Sequence, residues 1–278
     1  MQRIIADYHM HTTVSPDGAN SMEEMCAAAV ERGLSEIAFT DHFEIYTPGF
    51  PGSKYSPLGQ FTLAYLEEYR RRFERCREEW GGRIALKSGI ELGQPQEDPA
   101  FAQKALEVMP FDFVLGSQHK VDNIDFSQRD YRRGAERNAE LLWMNLDALA
   151  RLADTGDFDC VAHIDLIKRY AARQGVWVTL MEEREAFGAI LRRLIERGKG
   201  IEINTSGFRQ GMGEPVPAVE VLKLYRSLGG EIITFGSDAH RAEDVAADFE
   251  AARQVALAAG FRAAARYTRR KPEFYDIG

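Results

Sequence analysis

Seven short apolar runs, each followed by a longer amphipathic or loop segment, constrain this chain more than any other feature. They are RIIADYH (3–9), SEIAFTDH (35–42), RIALKSGIE (83–91), FDFVLGSQH (111–119), FDCVAHID (158–165), GIEINTS (200–206) and EIITFGSDAH (231–240). Strand-length runs alternating with helix-length segments are the signature of βα units around a mostly parallel sheet. Between the first two, NSMEEMCAAAVERGL predicts a helix: Ser21 and Glu24 have capping-box spacing, and Gly33 stands where a helix C-terminus needs a residue free to adopt positive φ. The segment 43–60, rich in Pro, Gly and aromatics, predicts a long loop. After it, Leu66, Tyr69, Phe73, Cys76 and Trp80 recur at spacings of three and four, an apolar helical stripe. RNAELLWMNLDALARL repeats that pattern through Leu142, Leu146 and Leu149, and VAADFEAARQVALAAG closes the series before a basic tail, RYTRRKPEF. The tail's run Arg269 to Lys271 is expected to be a solvated end or a tie-down against the rest of the fold. With no repeat, low-complexity tract or composition shift to mark a boundary, one domain over residues 1–278 is expected.

Composition narrows the function classes. A chain of 278 residues with 45% hydrophobic and 28% charged residues is an ordinary globular protein. No apolar run approaches the ~18 residues of a membrane span, and MQRIIADYH has no long apolar core or cleavage site, so the cytoplasm is the expected location. Cys26, Cys76 and Cys160 are widely spaced and form no C-x-x-C pair, so they read as buried small apolar residues. A net charge of −8 argues against binding a nucleic-acid polymer. It leaves room for a small anionic substrate whose charge is met by metal ions.

In a parallel α/β sheet or barrel, ligands bind at the carboxyl ends of the strands, where every βα loop opens. The seven runs end in His9 and His11; Asp41 and His42; Glu91; His119; His163 and Asp165; Asn204; and Asp238 and His240. All six histidines of the chain fall at these ends, which chance explains poorly. Residues two apart in an extended strand project to one face, so His9 with His11, and Asp238 with His240, can each aim at one point. Imidazoles and carboxylates converging on one face make a site for two or three divalent ions such as zinc, iron or manganese.

The set DYHMHT, TDH, GIE, GSQH, AHID and GSDAH, in this order, resembles the polymerase and histidinol phosphatase (PHP) superfamily. Within it, DYHMHTTVSPDG, GSQHKVD, AHIDLIKRY, EINTSGFR and FGSDAH are similar to the histidinol-phosphate phosphatases, over residues 7 to 240. The resemblance implies an α/β fold, a distorted (β/α)7 TIM-like barrel, in agreement with the seven runs. It also implies three metal positions: His9, His11, Glu91 and Asp238 at one; Glu91 as a bridge with His119 and His163 at a second; His42 and His240 at the third. Many members place another histidine soon after the first H-x-H, where this chain has Asp17. A carboxylate can replace the imidazole, so Asp17 is the expected ligand, and SPDG also suits a tight turn.

The implied chemistry is hydrolysis of a phosphate monoester, L-histidinol phosphate above others, by attack of a metal-bridging hydroxide on phosphorus. Glu91, Asp238 and His240 are expected to carry catalysis, and His42 to face the substrate as well as a metal. Arg169, Arg209 and Lys120 are the expected phosphate donors, and Phe43, Glu44 and Tyr46 could stack on the imidazole and answer the amine. A related phosphoesterase acting on a nucleotide or other small phosphoester is the alternative. An amidohydrolase barrel fits less well, because those enzymes want a lysine after the fourth strand and a lone aspartate after the last. A metal-binding protein without activity is disfavoured by the completeness of the ligand set.

Overall fold

The computed structural model describes residues 4–49 and 60–278, so part of the expected 43–60 loop lies outside the described residues. Seven parallel strands pair in chain order: β1 (Ala6–Asp7), β2 (Glu36–Phe39), β3 (Ala85–Gly93), β4 (Phe113–Ser117), β5 (Cys160–Val161), β6 (Gly200–Asn204) and β7 (Ile233–Gly236). The sheet's two edges meet where Tyr8 N donates to Phe235 O at 2.9 Å and Asp238 N to His9 O at 2.8 Å. The result is a nearly closed α/β barrel built from the seven expected runs.

The strands are shorter than the runs that predict them, and the second run is interrupted. Phe39 pairs with Ser88 and His42 with Glu91, so a short extension, His42–Glu44, keeps the register of β2 against β3. Between them Thr40 N turns away to donate to Met10 O at 3.0 Å. That detour brings the chain carrying His9 and His11 up against the segment carrying His42.

Helices α1 (Met22–Glu31), α2 (Leu63–Trp80), α3 (Pro99–Leu106), α4 (Ala135–Thr155), α5 (Leu166–Ala172), α6 (Arg184–Glu196), α7 (Ser206–Arg209), α8 (Val219–Ser227) and α9 (Phe249–Ala258) follow the strands. The capping box of α1 forms as its sequence predicts, with Ser21 and Glu24 reciprocally bonded. In α2, Leu66, Tyr69, Phe73 and Cys76 are buried, and Trp80 packs at the edge of the core. All three cysteines are buried and free. Among the described residues no helix is long and apolar enough to cross a membrane.

Strand alternation sorts side chains into two layers. Ile37 and Phe39, Val114, Val161, Ile201 and Ile203, and Ile233 and Phe235 pack in the larger core with the helices. Ala38, Phe113, Leu115, Cys160 and Ala162 point the other way and form a second cluster inside the barrel with Ala6 and Tyr8.

A C-terminal hairpin, β8 (Ala263–Thr268) with β9 (Lys271–Asp276), closes the barrel's amino end. It adds Ala265 and Tyr267 to the inner cluster, with Tyr267 N donating to Tyr8 Oη at 2.6 Å. The basic run is thus the turn of a hairpin and a tie-down, not a loose tail. Arg270 donates to Asp159 at 2.7 Å and to Asp157 at 2.9 Å, beside the start of β5.

Candidate metal centre and substrate cleft

The alternation that puts apolar side chains toward the helices turns their neighbours inward. Glu91 lies between Ile90 and Leu92, both in the helix-side core, and is itself fully buried within the barrel. Its two oxygens address different groups. Oε1 lies 2.9 Å from His119 Nε2 and 2.9 Å from His163 Nε2. Oε2 lies 2.6 Å from His42 Nδ1, 3.6 Å from His9 Nε2 and 3.7 Å from His11 Nε2. Asp238 Oδ1 completes the His9 and His11 side at 3.7 and 3.4 Å, and its oxygen is also 3.6 Å from His240 Nδ1. Both His163 and Asp238 hold positive φ, at 24° and 54°, a conformation that persists in non-glycine residues only when the surroundings enforce it.

The SPDG turn does bend back to the centre. Asp17 Oδ2 stands 3.2 Å from His240 Nε2 and 3.6 Å from His42 Nε2. The residues expected as ligands, His9, His11, His42, Glu91, His119, His163, Asp238 and His240, therefore surround one centre, with Asp17 at its exposed edge and outside the closest donor groups. Four groups of three potential donors gather here: His9 with His11 and Asp238, His9 with Glu91 and His163, His42 with Glu91 and His119, and His11 with His42 and His240.

Four of the rings have Nδ1 beside a fixed acceptor: Glu202 for His9 at 2.6 Å, Ser15 Oγ for His11 at 3.3 Å, Glu44 for His119 at 2.6 Å, and Asp238 O for His240 at 3.0 Å. The Ser15 hydroxyl donates to Asp41 at 2.7 Å, so its oxygen is left to accept from His11. Each of these rings thereby presents Nε2 to the centre, the orienting role that outer carboxylates and hydroxyls play around metal-bound imidazoles.

The electrostatics favour positive charge. Burial pulls the His9 ring down, but Glu202, Glu91 and Asp238 outweigh it and raise its pKa well above the ordinary value. Burial likewise opposes His119, which Glu44 and Glu91 bring up to about 10. Glu91 is held well below the usual carboxylate range by His119, His42 and His9, against the opposing push of burial. His11 goes the other way: burial lowers it, and the neighbouring His42 and His240 rings lower it further.

These residues fit divalent ions on the structure's own terms. His9 Nε2 and His11 Nε2 face each other at 3.1 Å, and His119 Nε2 and His163 Nε2 at 3.5 Å. With Nδ1–H donated to Glu202 and to Ser15, neutral His9 and His11 rings would set lone pairs against each other, a repulsion that a shared cation relieves. Among the described residues, buried Glu91 Oε2, His42 Nδ1 and His163 Nδ1 have no hydrogen-bond partner; His42 Nδ1 is close to Glu91 but out of line for a hydrogen bond.

A cleft of ≈630 Å³ opens above the centre, lined among others by His42, Lys120, Arg169, Tyr170, Arg209 and Asp125. Arg169 donates to Asp238 at 3.0 Å and Ser206 at 2.8 Å, while its buried Nε lacks a partner among the described residues. Arg209 donates to Asp238 O at 2.6 Å and leaves Nη1 similarly unpaired. Lys120 lines the cleft, but its ammonium is 2.5 Å from Glu44.

Several expectations change here. Glu44 lines the cleft but is buried between His119 and Lys120, where it orients the His119 ring. Phe43 is fully buried and packs against Phe61 and Phe101, out of reach of a substrate ring; Tyr46 does line the cleft. Asp41 binds the Thr12–Ser15 loop through four hydrogen bonds instead of joining the centre. Asn204 accepts from Ser206 N and Oγ, and buried Asp165, pushed up to about 6 by burial, also lies outside the donor groups. Glu202 had not been expected at all. Its signal was present: Gly200-Ile201-Glu202-Ile203 repeats the pattern of Gly89-Ile90-Glu91-Leu92, an acid set between two helix-facing apolar residues.

Fold and centre define a seven-stranded α/β barrel built to hold a cluster of divalent ions at the carboxyl ends of its strands. Residues 7–206 match the PHP domain family model, and the chain belongs to that family. A histidinol-phosphatase of Lactococcus lactis is 30% identical over 268 residues, covering 94% of each chain. A histidinol-phosphatase of Bacillus subtilis is 24% identical, over 88% of this chain and 97% of its own length. Among solved structures, the histidinol phosphate phosphatase of Lactococcus lactis, complexed with zinc, L-histidinol and phosphate, matches with a TM-score of 0.78 at 28% identity, covering 96% of this chain and 98% of that one.

Proposed function

We propose that the whole chain, 1–278, works as one metal-dependent phosphatase domain that hydrolyses L-histidinol phosphate to L-histidinol and phosphate, a step of histidine biosynthesis. The observation that carries this reading is Glu91. Its two oxygens stand against two sets of imidazoles, the arrangement a carboxylate bridging neighbouring ions requires. The likeness to the Lactococcus enzyme solved with L-histidinol and phosphate supports the substrate.

In this reading His9, His11, Glu91 and Asp238 hold one ion, Glu91, His119 and His163 a second, and His42, His240 and Asp17 a third; zinc, iron and manganese all suit these nitrogen and oxygen donors. Bound there, such ions supply Lewis-acid activation of water and of the phosphoryl group. Arg169 and Arg209 line the cleft beside Asp238, and they bind and orient the phosphate. Lys120 lines the cleft, but its charge is met by Glu44. His42 faces both the centre and the cleft, so it can meet the substrate as well as an ion. The three free cysteines suit a reducing compartment such as the cytoplasm.

The test is phosphate release by metal-loaded protein from L-histidinol phosphate, nucleotides and aryl phosphates. Selective turnover of L-histidinol phosphate is the expected outcome. Turnover of a nucleotide with none of L-histidinol phosphate would replace the substrate and keep the centre.

A further inference from the structure

Glu202, on β6, is 1% exposed and lies outside the lining of the substrate cleft. Oε1 is 2.6 Å from His9 Nδ1. Oε2 accepts the His163 backbone N–H at 2.8 Å and Asn204 Nδ2 at 3.1 Å. Among the described residues no lysine or arginine pairs with it; its one ion-pair partner is the His9 ring. A buried carboxylate without a cationic partner is strongly destabilising unless positive charge reaches it by another route. Here that route runs through His9 to whatever cation His9 binds.

Two features of the backbone are built around this carboxylate. Gly236, on β7, is a glycine where a Cβ would overlap Glu202 Oε1 and His9 Cβ, so the space belongs to the Glu202–His9 contact. His163 holds φ at 24° with its N–H on Glu202, and from that turn its ring reaches Glu91 at 2.9 Å. One side chain therefore touches two histidines that serve two different positions of the centre.

We infer that Glu202 is the positioning carboxylate of the metal centre: it commits His9 to donate through Nε2 and fixes the turn that aims His163 at Glu91, so that two neighbouring metal positions share one anchor. The inference rests on the metal-centre reading above. Glu202 itself touches neither substrate nor ion; it acts through the two histidines.

The decisive variant is Glu202→Gln, which keeps shape and size but replaces two acceptor oxygens by one acceptor and one donor. In either orientation of the amide, His9 Nδ1–H or His163 N–H faces an N–H. Chelator competition should show metal affinity about 10- to 100-fold weaker, fewer equivalents should survive gel filtration, and the visible spectrum of cobalt(II)-loaded protein should change. The melting temperature of the metal-free protein should stay close to that of the parent. A variant with parental metal affinity, stoichiometry and cobalt spectrum overturns the inference, and so does one whose only change is a lower melting temperature. If the variant does not fold, ring-nitrogen NMR of the zinc-loaded parent decides. His9 protonated at Nδ1 and ligated through Nε2 supports the assignment, and ligation through Nδ1 overturns it. A parent chain that takes up no divalent metal fails differently, because it removes the centre itself along with its anchor.

Discussion

The two ends of the barrel are made from the same seven strands and solve opposite problems. At the carboxyl end, buried carboxylates and imidazoles crowd around Glu91, a concentration of like and unlike charge that burial opposes and that cations compensate. At the amino end, Tyr8, Phe113 and Tyr267 pack ring against ring, with centroids of both Tyr8–Phe113 and Phe113–Tyr267 at 4.9 Å, and a hairpin seals the opening. The closed end supplies apolar burial that the open end cannot. Chemistry and stability are thereby separated along one axis of the fold, and variants at each end should divide accordingly.

The largest effect is expected from Glu91→Gln, which removes the charge facing both imidazole sets. Phosphate release should fall to background and bound metal should drop, with the metal-free melting temperature near the parent's. Extensive destabilisation would break the division between the ends. Treatment with a chelator should abolish turnover in the parent chain, and added zinc, manganese or iron should restore it; turnover that survives full metal removal would contradict the centre.

At the other end, Tyr267→Ala opens the inner cluster beneath Tyr8 and should cost about 3–5 kcal/mol in chemical denaturation, the range for truncating a buried aromatic. Metal content per folded molecule should be unchanged. Arg209→Ala comes next: it should raise KM for L-histidinol phosphate roughly 10- to 100-fold, as loss of a hydrogen bond to a charged group predicts, with metals retained. An unchanged KM would remove Arg209 from the phosphate site. The smallest shift belongs to Ser21→Ala, outside both ends, where losing the capping box of α1 should cost about 1 kcal/mol and leave kinetics alone.

Much of the carboxyl end was legible in the sequence because strand ends have an address. Once His9, His42, His119, His163 and His240 each followed an apolar run, parallel βα topology placed them on one face. Glu91 was legible for the same reason, and Asp17 through its turn. The amino end was not. Its hairpin turns at Arg269 and Arg270, with φ of 50° and 66°, where hairpin chemistry favours Asn-Gly, and its second strand carries Pro272. Nothing local announces a strand pair there; packing against Tyr8 and the bonds from Arg270 to Asp157 and Asp159 enforce it.

The βα order, the strand-end donors and the kind of ion they suit could be read from the amino acids alone, because those follow from short-range periodicity and the chemistry of side chains. The acceptors of the His9 and His119 rings were set by the closed fold. Glu202 reaches His9 across 193 positions of chain, and Glu44 reaches His119 across 75. Contacts of that span depend on how the barrel closes, so no local pattern specifies them. It is at that level that two acids of similar local sequence, Glu91 and Glu202, part company: one faces the centre and the other holds its histidines in place.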